Sequence, residues 1–154
     1  MRIPIPSPIT YWQDTERSLE NLPDPDVTAL SKLGFDLMPF AFTAFDSIVL
    51  TGGVLGAQQT AYGKYSTPEE CWLTHLVASS SQVAGFSVTF YDTDRQELWS
   101  AQPIVFGTAL GSAKFPFWLR RPYKMPINAQ LQAKVTNLAA AGNAIQIVCW
   151  GVRK

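Results

Sequence analysis

Between Ile127 and Thr136 apolar and polar residues alternate without a break. Ile127, Ala129, Leu131, Ala133 and Val135 form one set, and Asn128, Gln130, Gln132, Lys134 and Thr136 the other. A period of two marks a half-buried strand, so the first set is expected inward and the second in water. GFSVTFYD repeats the pattern, with Phe86, Val88 and Phe90 on one face and Ser87, Thr89 and Tyr91 on the other. Asp92-Thr-Asp94 supplies turn chemistry, and RQELW reads as the returning arm of a hairpin. FAFTAFDSIVL, from about Met38, is rich in aromatic and branched residues with imperfect alternation, so both its faces read as covered. CWLTHLVAS and AIQIVCWGV read as two further strands, and VLGAQQTAYGKY as a strand or an irregular loop. FPFWL places Phe115, Phe117 and Leu119 on one face, with Pro116 suited to an edge or bulge. RRPYKMP, fixed by Pro122 and Pro126, reads as a connection, and NLAAAGN as a turn of small residues. Six to eight strands with closely spaced turn signals predict an all-β fold, an antiparallel β-sandwich or jelly roll, over residues 39–154.

Residues 1–38 have a different character. IPIPSP sets a proline at every second position from Pro4 to Pro8, which blocks ladder bonds and favours extended chain. The segment reads as an N-terminal arm whose Ile3, Ile5, Tyr11 and Trp12 would pack on their own domain or on a neighbouring subunit. DTERSLENL and PDPDVTALSKLG are candidate short helices, the second with Asp26 as cap, Val27, Leu30 and Leu33 on one face and Gly34 at the end.

The 154 residues suit one domain with a real core. Charged residues are 16% of the chain, below the ~25% of ordinary soluble domains; such a surface fits either a polar, uncharged β-protein or one largely covered by partners. Net charge is zero, which argues against nucleic acid as the partner. The charge is unevenly placed. All twelve carboxylates lie between Asp14 and Glu97, against five Lys/Arg before residue 98, giving −7; from Leu98 onward seven Lys/Arg and no carboxylate give +7. The fold can interleave the halves within one chain, or let them meet between subunits. No apolar run approaches the ~18 residues of a membrane span, and prolines interrupt the start where a secretion signal needs an apolar stretch.

Candidate chemistry is sparse. His75 is the only histidine. Alternation puts it on the face of Cys71, Leu73 and Val77, yet Cys71 and His75 are too few for a zinc site without Cys149 or a carboxylate. Both cysteines read as buried free thiols. Ser79-Ser80-Ser81 lacks a nucleophile-elbow context. Asp24/Asp26 and Asp92/Asp94 supply too few oxygens for calcium and read as a helix cap and a hairpin turn. Glu69 and Glu70, adjacent on a strand, face opposite sides. The glycine-bearing stretches match no phosphate-binding fingerprint. No catalytic residue, metal or cofactor is assigned. Trp118, Arg120, Arg121, Tyr123 and Lys124 form the best recognition cluster, because arginine beside aromatics is hot-spot chemistry. It also suits a carbohydrate, or single-stranded nucleic acid through stacking.

WLTHLVASSSQVAGFSVTFYDTDRQELWSAQPI followed by FPFWLRRPYKMPINAQLQAKVTNLAAAGNAIQIVCWGVRK resembles small virion proteins of tailed bacteriophages. The shared cadence is an aromatic stretch, an RPY…P turn, an L.AKVTN strand and a closing IQIV..G strand, covering about residues 70–154. The resemblance implies a β-sandwich or jelly roll and a capsid decoration (cement) role. It further implies a homotrimer seated on the major capsid protein at the virion surface, assembled in the host cytoplasm, with no membrane and no nucleic acid as partners. The first rival is a carbohydrate- or receptor-binding sandwich of a tail or baseplate, with Trp118 and Tyr123 exposed on a groove. The second is a cupin-like enzyme, which needs a metal cluster.

Overall fold

The computed structural model describes residues 38–153. The expected arm before Met38, with Ile3, Ile5, Tyr11, Trp12 and both candidate helices, lies outside the described residues. Nine strands follow in order: β1 (Met38–Asp46), β2 (Thr60–Ser66), β3 (Cys71–Ser80), β4 (Phe86–Asp92), β5 (Glu97–Leu98), β6 (Ile104–Val105), β7 (Phe117–Met125), β8 (Gln130–Asn137) and β9 (Ile145–Arg153). One short helix, α1 (Phe106–Ala109), follows β6. The undecided stretch after TGG is therefore loop up to Gln59 and strand beyond it.

The chain runs out through β1–β4 and returns. Each outgoing strand pairs antiparallel with a returning one: β1 with β9, β2 with β8, β3 with β7, β4 with β5. β9 also pairs with β3, and β8 with β4. Two sheets result, β1-β9-β3-β7 and β2-β8-β4-β5, with β6 beside β5 on the free edge of β4. A folded-over ribbon divided in this way between two facing sheets is a jelly roll. Between the sheets lie Phe86, Val88 and Phe90 of β4, Leu131, Ala133 and Val135 of β8, Leu73 and Leu76 of β3, and Ile145, Ile147 and Cys149 of β9, all buried. The alternation of β4 and β8 thus has its expected sense. Ile127 is the exception, at 61% exposed. Asn128, at φ 62°, turns the chain just before β8, so Ile127 precedes the pleat and is not bound by its period.

Three irregularities break the sequence pattern. In β1 the register shifts between Thr43 and Phe45, and Ala41 and Thr43 are exposed, so one face is open where both were expected to be covered. The β3–β9 register runs Leu73↔Gly151 and then His75↔Trp150, so Leu73 and Thr74 together oppose one residue. This bulge turns His75 to the outer face, away from Cys71 and Leu73, correcting the expected shared face. Gly151 makes it possible: a Cβ there would stand 2.0 Å from the Trp72 carbonyl oxygen. The β3–β7 register jumps from Leu73↔Tyr123 to His75↔Trp118, so Leu119–Pro122 bow out opposite Thr74. RRPYKM is therefore a bulged part of edge strand β7, not a connection. Pro122 is accommodated where no ladder donor is needed.

One end of the sandwich is held by two fully buried asparagines, Asn137 and Asn143. Asn137 Nδ2 donates to the carbonyls of Leu55, Gly56 and Ala141, and its Oδ1 accepts from the Ala139 amide and from Asn143 Nδ2. Asn143 Oδ1 accepts from Ser80, Ser81 and the Gln82 amide, while its Nδ2 also donates to the Gly85 carbonyl. Three loops, after β1, β3 and β8, are clamped together. The turn of small residues is thus a buried polar hub.

Candidate protein interface along the edge strand

β7 forms one edge of its sheet and carries the sequence-predicted cluster, but the pleat and the bulge divide that cluster between two sides. On the outer face, Trp118, His75 and Trp150 stand side by side across β7, β3 and β9. The His75 ring lies 4.3 Å from Trp118 and 5.9 Å from Trp150, the second pair parallel within 2°. Thr74 Oγ1 shares a hydrogen bond with His75 Nδ1. Burial between the indoles pulls the His75 pKa down to about 4, so the ring is neutral at pH 7 and serves as an aromatic spacer. Trp150 keeps 39% of its surface exposed, and Trp118 is half-buried.

On the other side, β7 faces β5 and β6 across the open side of the sandwich. Leu76, Leu98, Trp99, Ile104, Phe117, Leu119 and Tyr123 line a cleft of about 410 Å³, with Glu97 and exposed Arg120 at its lining as well. Tyr123 closes one part of it. Its ring packs 4.8 Å from Trp99, its hydroxyl donates to buried Asp92 Oδ2 at 2.5 Å, and the Arg95 guanidinium lies 4.8 Å above it. Burial first, and then the Asp92 bond, push the Tyr123 pKa up to about 12. Asp92 Oδ1 meanwhile accepts from the amides of Asp94 and Arg95, so the expected hairpin turn is also a tie between the sheets. Phe115 and Phe117 stay 45% and 38% exposed.

The predicted cluster is therefore only partly brought together. Trp118 belongs to the aromatic row, Arg120 to the cleft, and Tyr123 to the core margin rather than to an exposed groove. Lys124 turns away to Glu70, 3.5 Å off, and lies over Trp72. Arg121 follows Arg120 on the strand, and its side chain lies outside the described part. Ile3, Ile5, Tyr11 and Trp12 are likewise outside it. Sequence reasoning missed His75, Trp150 and Trp99 as members of this surface. Pairing CWLTHL with IVCWGV would have brought the first two together, but the one-residue bulge disguised their common face.

The expected chemistry elsewhere resolves simply. Cys71 and Cys149 are buried free thiols. Burial, aided by Glu69 and Glu70, pushes the Cys71 thiol up to about 12, and burial raises Cys149 further. Glu69 pairs with Arg153 and Glu70 with Lys124, so the two carboxylates serve different cations. Among the described residues no three His, Cys, Asp or Glu side chains gather to hold a metal, and no helix is long and apolar enough to cross a membrane. Comparison with known proteins finds no matching family model, no similar curated protein and no similar solved structure.

Proposed function

We propose that this chain is a non-enzymatic structural protein that works by binding a large protein assembly, and that the assembly is the head of a tailed phage. The observation that carries the binding role is the β7 surface: an aromatic row on one side, and on the other an apolar cleft flanked by Arg120. Indole rings and an exposed guanidinium beside apolar area are the groups that dominate protein interfaces. The phage head enters through the resemblance of residues 70–154, which implies the major capsid protein as partner, a trimer as the decorating unit and the virion surface as location. The jelly roll itself hosts many unrelated functions and adds no weight. Such a protein stabilises the assembled state by mass action, because it binds the shell and not the free shell subunit. Shape and area suffice for that, and reactive groups are not required.

The test is sedimentation of the native protein from its source lysate, with quantitation of every co-sedimenting protein. Near-stoichiometric travel with a major shell protein supports decoration, and a W150A/R120E variant is then expected to bind at least about ten-fold more weakly. A few copies per particle place it at a tail or vertex instead. The aromatic row also favours a second reading, carbohydrate binding by stacking. That reading gains if the protein stays at the top of the gradient and a glycan shifts its tryptophan fluorescence.

A further inference from the structure

The two sheets meet differently along their two sides. Beside β1 and β2 they close, because a side chain on Gly63 would strike the Ala44 carbonyl. Beside β7 they stand apart, which leaves the cleft of about 410 Å³ between Leu119 of β7 and Trp99 and Ile104 opposite. A second hollow of about 390 Å³, lined by α1 and the loop that follows it, adjoins the cleft, since Phe117 lines both. Together they make a groove along β7 walled by aromatic and aliphatic side chains. The groove holds one charge of each sign, Glu97 and Arg120, both exposed and neither in an ion pair with a described residue.

The sequence before Met38 holds a segment that matches this groove. Polyproline chain repeats every three residues, and Pro4, Pro6 and Pro8 favour it. At that period Ile3, Pro6, Ile9 and Trp12 fall on one face, Arg2, Ile5, Pro8 and Tyr11 on the next, and Pro4, Ser7, Thr10 and Gln13 on the third. In extended form the segment has two largely apolar faces and one polar face. We infer that residues 2–12 of the chain's own N-terminal arm, which lie outside the described residues, dock in the groove along β7. Three observations select this occupant. Proline-rich chain loses little entropy on docking and suits aromatic-lined grooves, and Trp99, Tyr123, Phe115 and Phe117 supply such a lining. Charge is complementary, because Arg2 stands at one end of the segment and Asp14 and Glu16 lie just past the other, opposite in sign to Glu97 and Arg120. The tether also reaches. β1 and β7 are the two edges of one four-stranded sheet, about 14 Å apart at three strand spacings, and residues 13–37 span several times that distance when extended. A tethered segment meets its groove at an effective concentration of about a millimolar, so a short contact suffices. The inference concerns the free chain. It leaves the aromatic row uncovered, brings the cleft to a shell only once the segment leaves it, and holds or fails independently of the shell reading.

The test is the nitrogen-15 NMR spectrum of the purified full chain, read at the amides of Leu98, Ile104 and Leu119 and at the amide and indole of Trp99. I3D/I9D puts carboxylates on the first apolar face and is expected to shift these resonances while those of β8 and β9 stay in place. I5D/Y11D, on the second apolar face, gives the reading should that variant fail to fold. S7D/T10D adds the same charge to the polar face and is expected to leave the cleft resonances where they are in the wild type. A synthetic peptide of residues 2–12, added to I3D/I9D at about 1 mM, is expected to restore the wild-type pattern. Cleft resonances alike in the wild type and both apolar-face variants overturn the proposal, as does an equal shift in S7D/T10D. A wild-type spectrum that changes between about 20 μM and about 500 μM, with a dimer in sedimentation, also overturns it, because the segment then comes from another copy.

Discussion

His75 shows how far one side chain can depart from its ordinary chemistry. Its ring is held neutral by burial, with a pKa of about 4 against 6.5 for the free group. Between those values the unfolded chain binds a proton that the folded chain refuses, so stability is present above pH 6.5 and is lost as pH falls toward 4. From pH 7 to pH 5 this one group should cost about 2 kcal/mol, since one pKa unit is worth about 1.4 kcal/mol. H75F keeps the stack and has no proton to bind. Urea unfolding of both proteins at the two pH values is expected to show the wild type losing about 2 kcal/mol more than the variant; parallel losses would mean the ring is not shielded. Asn137 and Asn143 make the complementary case. N137A strands three carbonyls and the Ala139 amide, so a loss of about 2–4 kcal/mol in chemical denaturation is expected. Because the two asparagines bond each other, N137A/N143A should cost less than the sum of the singles. A double loss that adds in full would mean the hub does not act as a unit.

At the level of elements, the sequence announced what is periodic and concealed what is not. β4 and β8 were legible because ten or so positions repeat one choice between oil and water, and burial enforces that choice at Phe86, Val88, Leu131 and Val135. The bulges were not legible, because one extra residue at Thr74 reverses the face of all that follows while leaving composition untouched. Hence His75 leaves the face of Cys71 and Leu73 on which alternation places it, and residues 120–125, which read as part of a connection, are strand whose start bows out. The buried asparagines were hidden for a similar reason: Asn in a run of alanines reads as a wet turn unless the loops that surround it are known. Of the candidate interface, Trp118 and Arg120 were legible by their type, whereas Trp150 and Trp99 needed the pairing of distant strands. The β3 bulge can be tested directly. G151A drives a methyl against the Trp72 carbonyl and Leu73 Cα, backbone atoms with nowhere to go. It should destabilise by about 3 kcal/mol or more, at or beyond the overpacking range. G107A, with open space around it, should stay within about 0.5 kcal/mol. Equal melting temperatures for the two variants would show that the bulge can relax.

Across the whole molecule, the division of charge along the sequence takes on a spatial meaning. The carboxylates of the first part meet cations of the second within one chain, Glu69 with Arg153 and Glu70 with Lys124. The opposite signs are thus interleaved by the fold at one end, while at the far end of β1 the Asp46 carboxylate accepts from the Ile48 amide and from Gln146. Two ways of self-association then differ in a measurable respect. If copies were oriented by one half's negative charge facing the other half's positive charge, added NaCl would screen the attraction, whose range is about 10 Å at 0.1 M and about 3 Å at 1 M. If they meet through apolar surface such as the Trp118–His75–Trp150 row, there is little Coulomb attraction to screen, and salts excluded from protein surface should tighten the contact. Raising NaCl from about 50 mM to about 500 mM is accordingly expected to change the association constant by less than about two-fold, while ammonium sulfate at equal ionic strength raises it. A ten-fold loss in NaCl would instead return the interface to the charged halves of the chain. Folding stability should be nearly indifferent to the same change, because the pairs at the charged end are more than a third exposed on at least one partner and exposed pairs contribute about 0–1 kcal/mol. Salt thus separates the forces that hold one copy together from those that join it to the next.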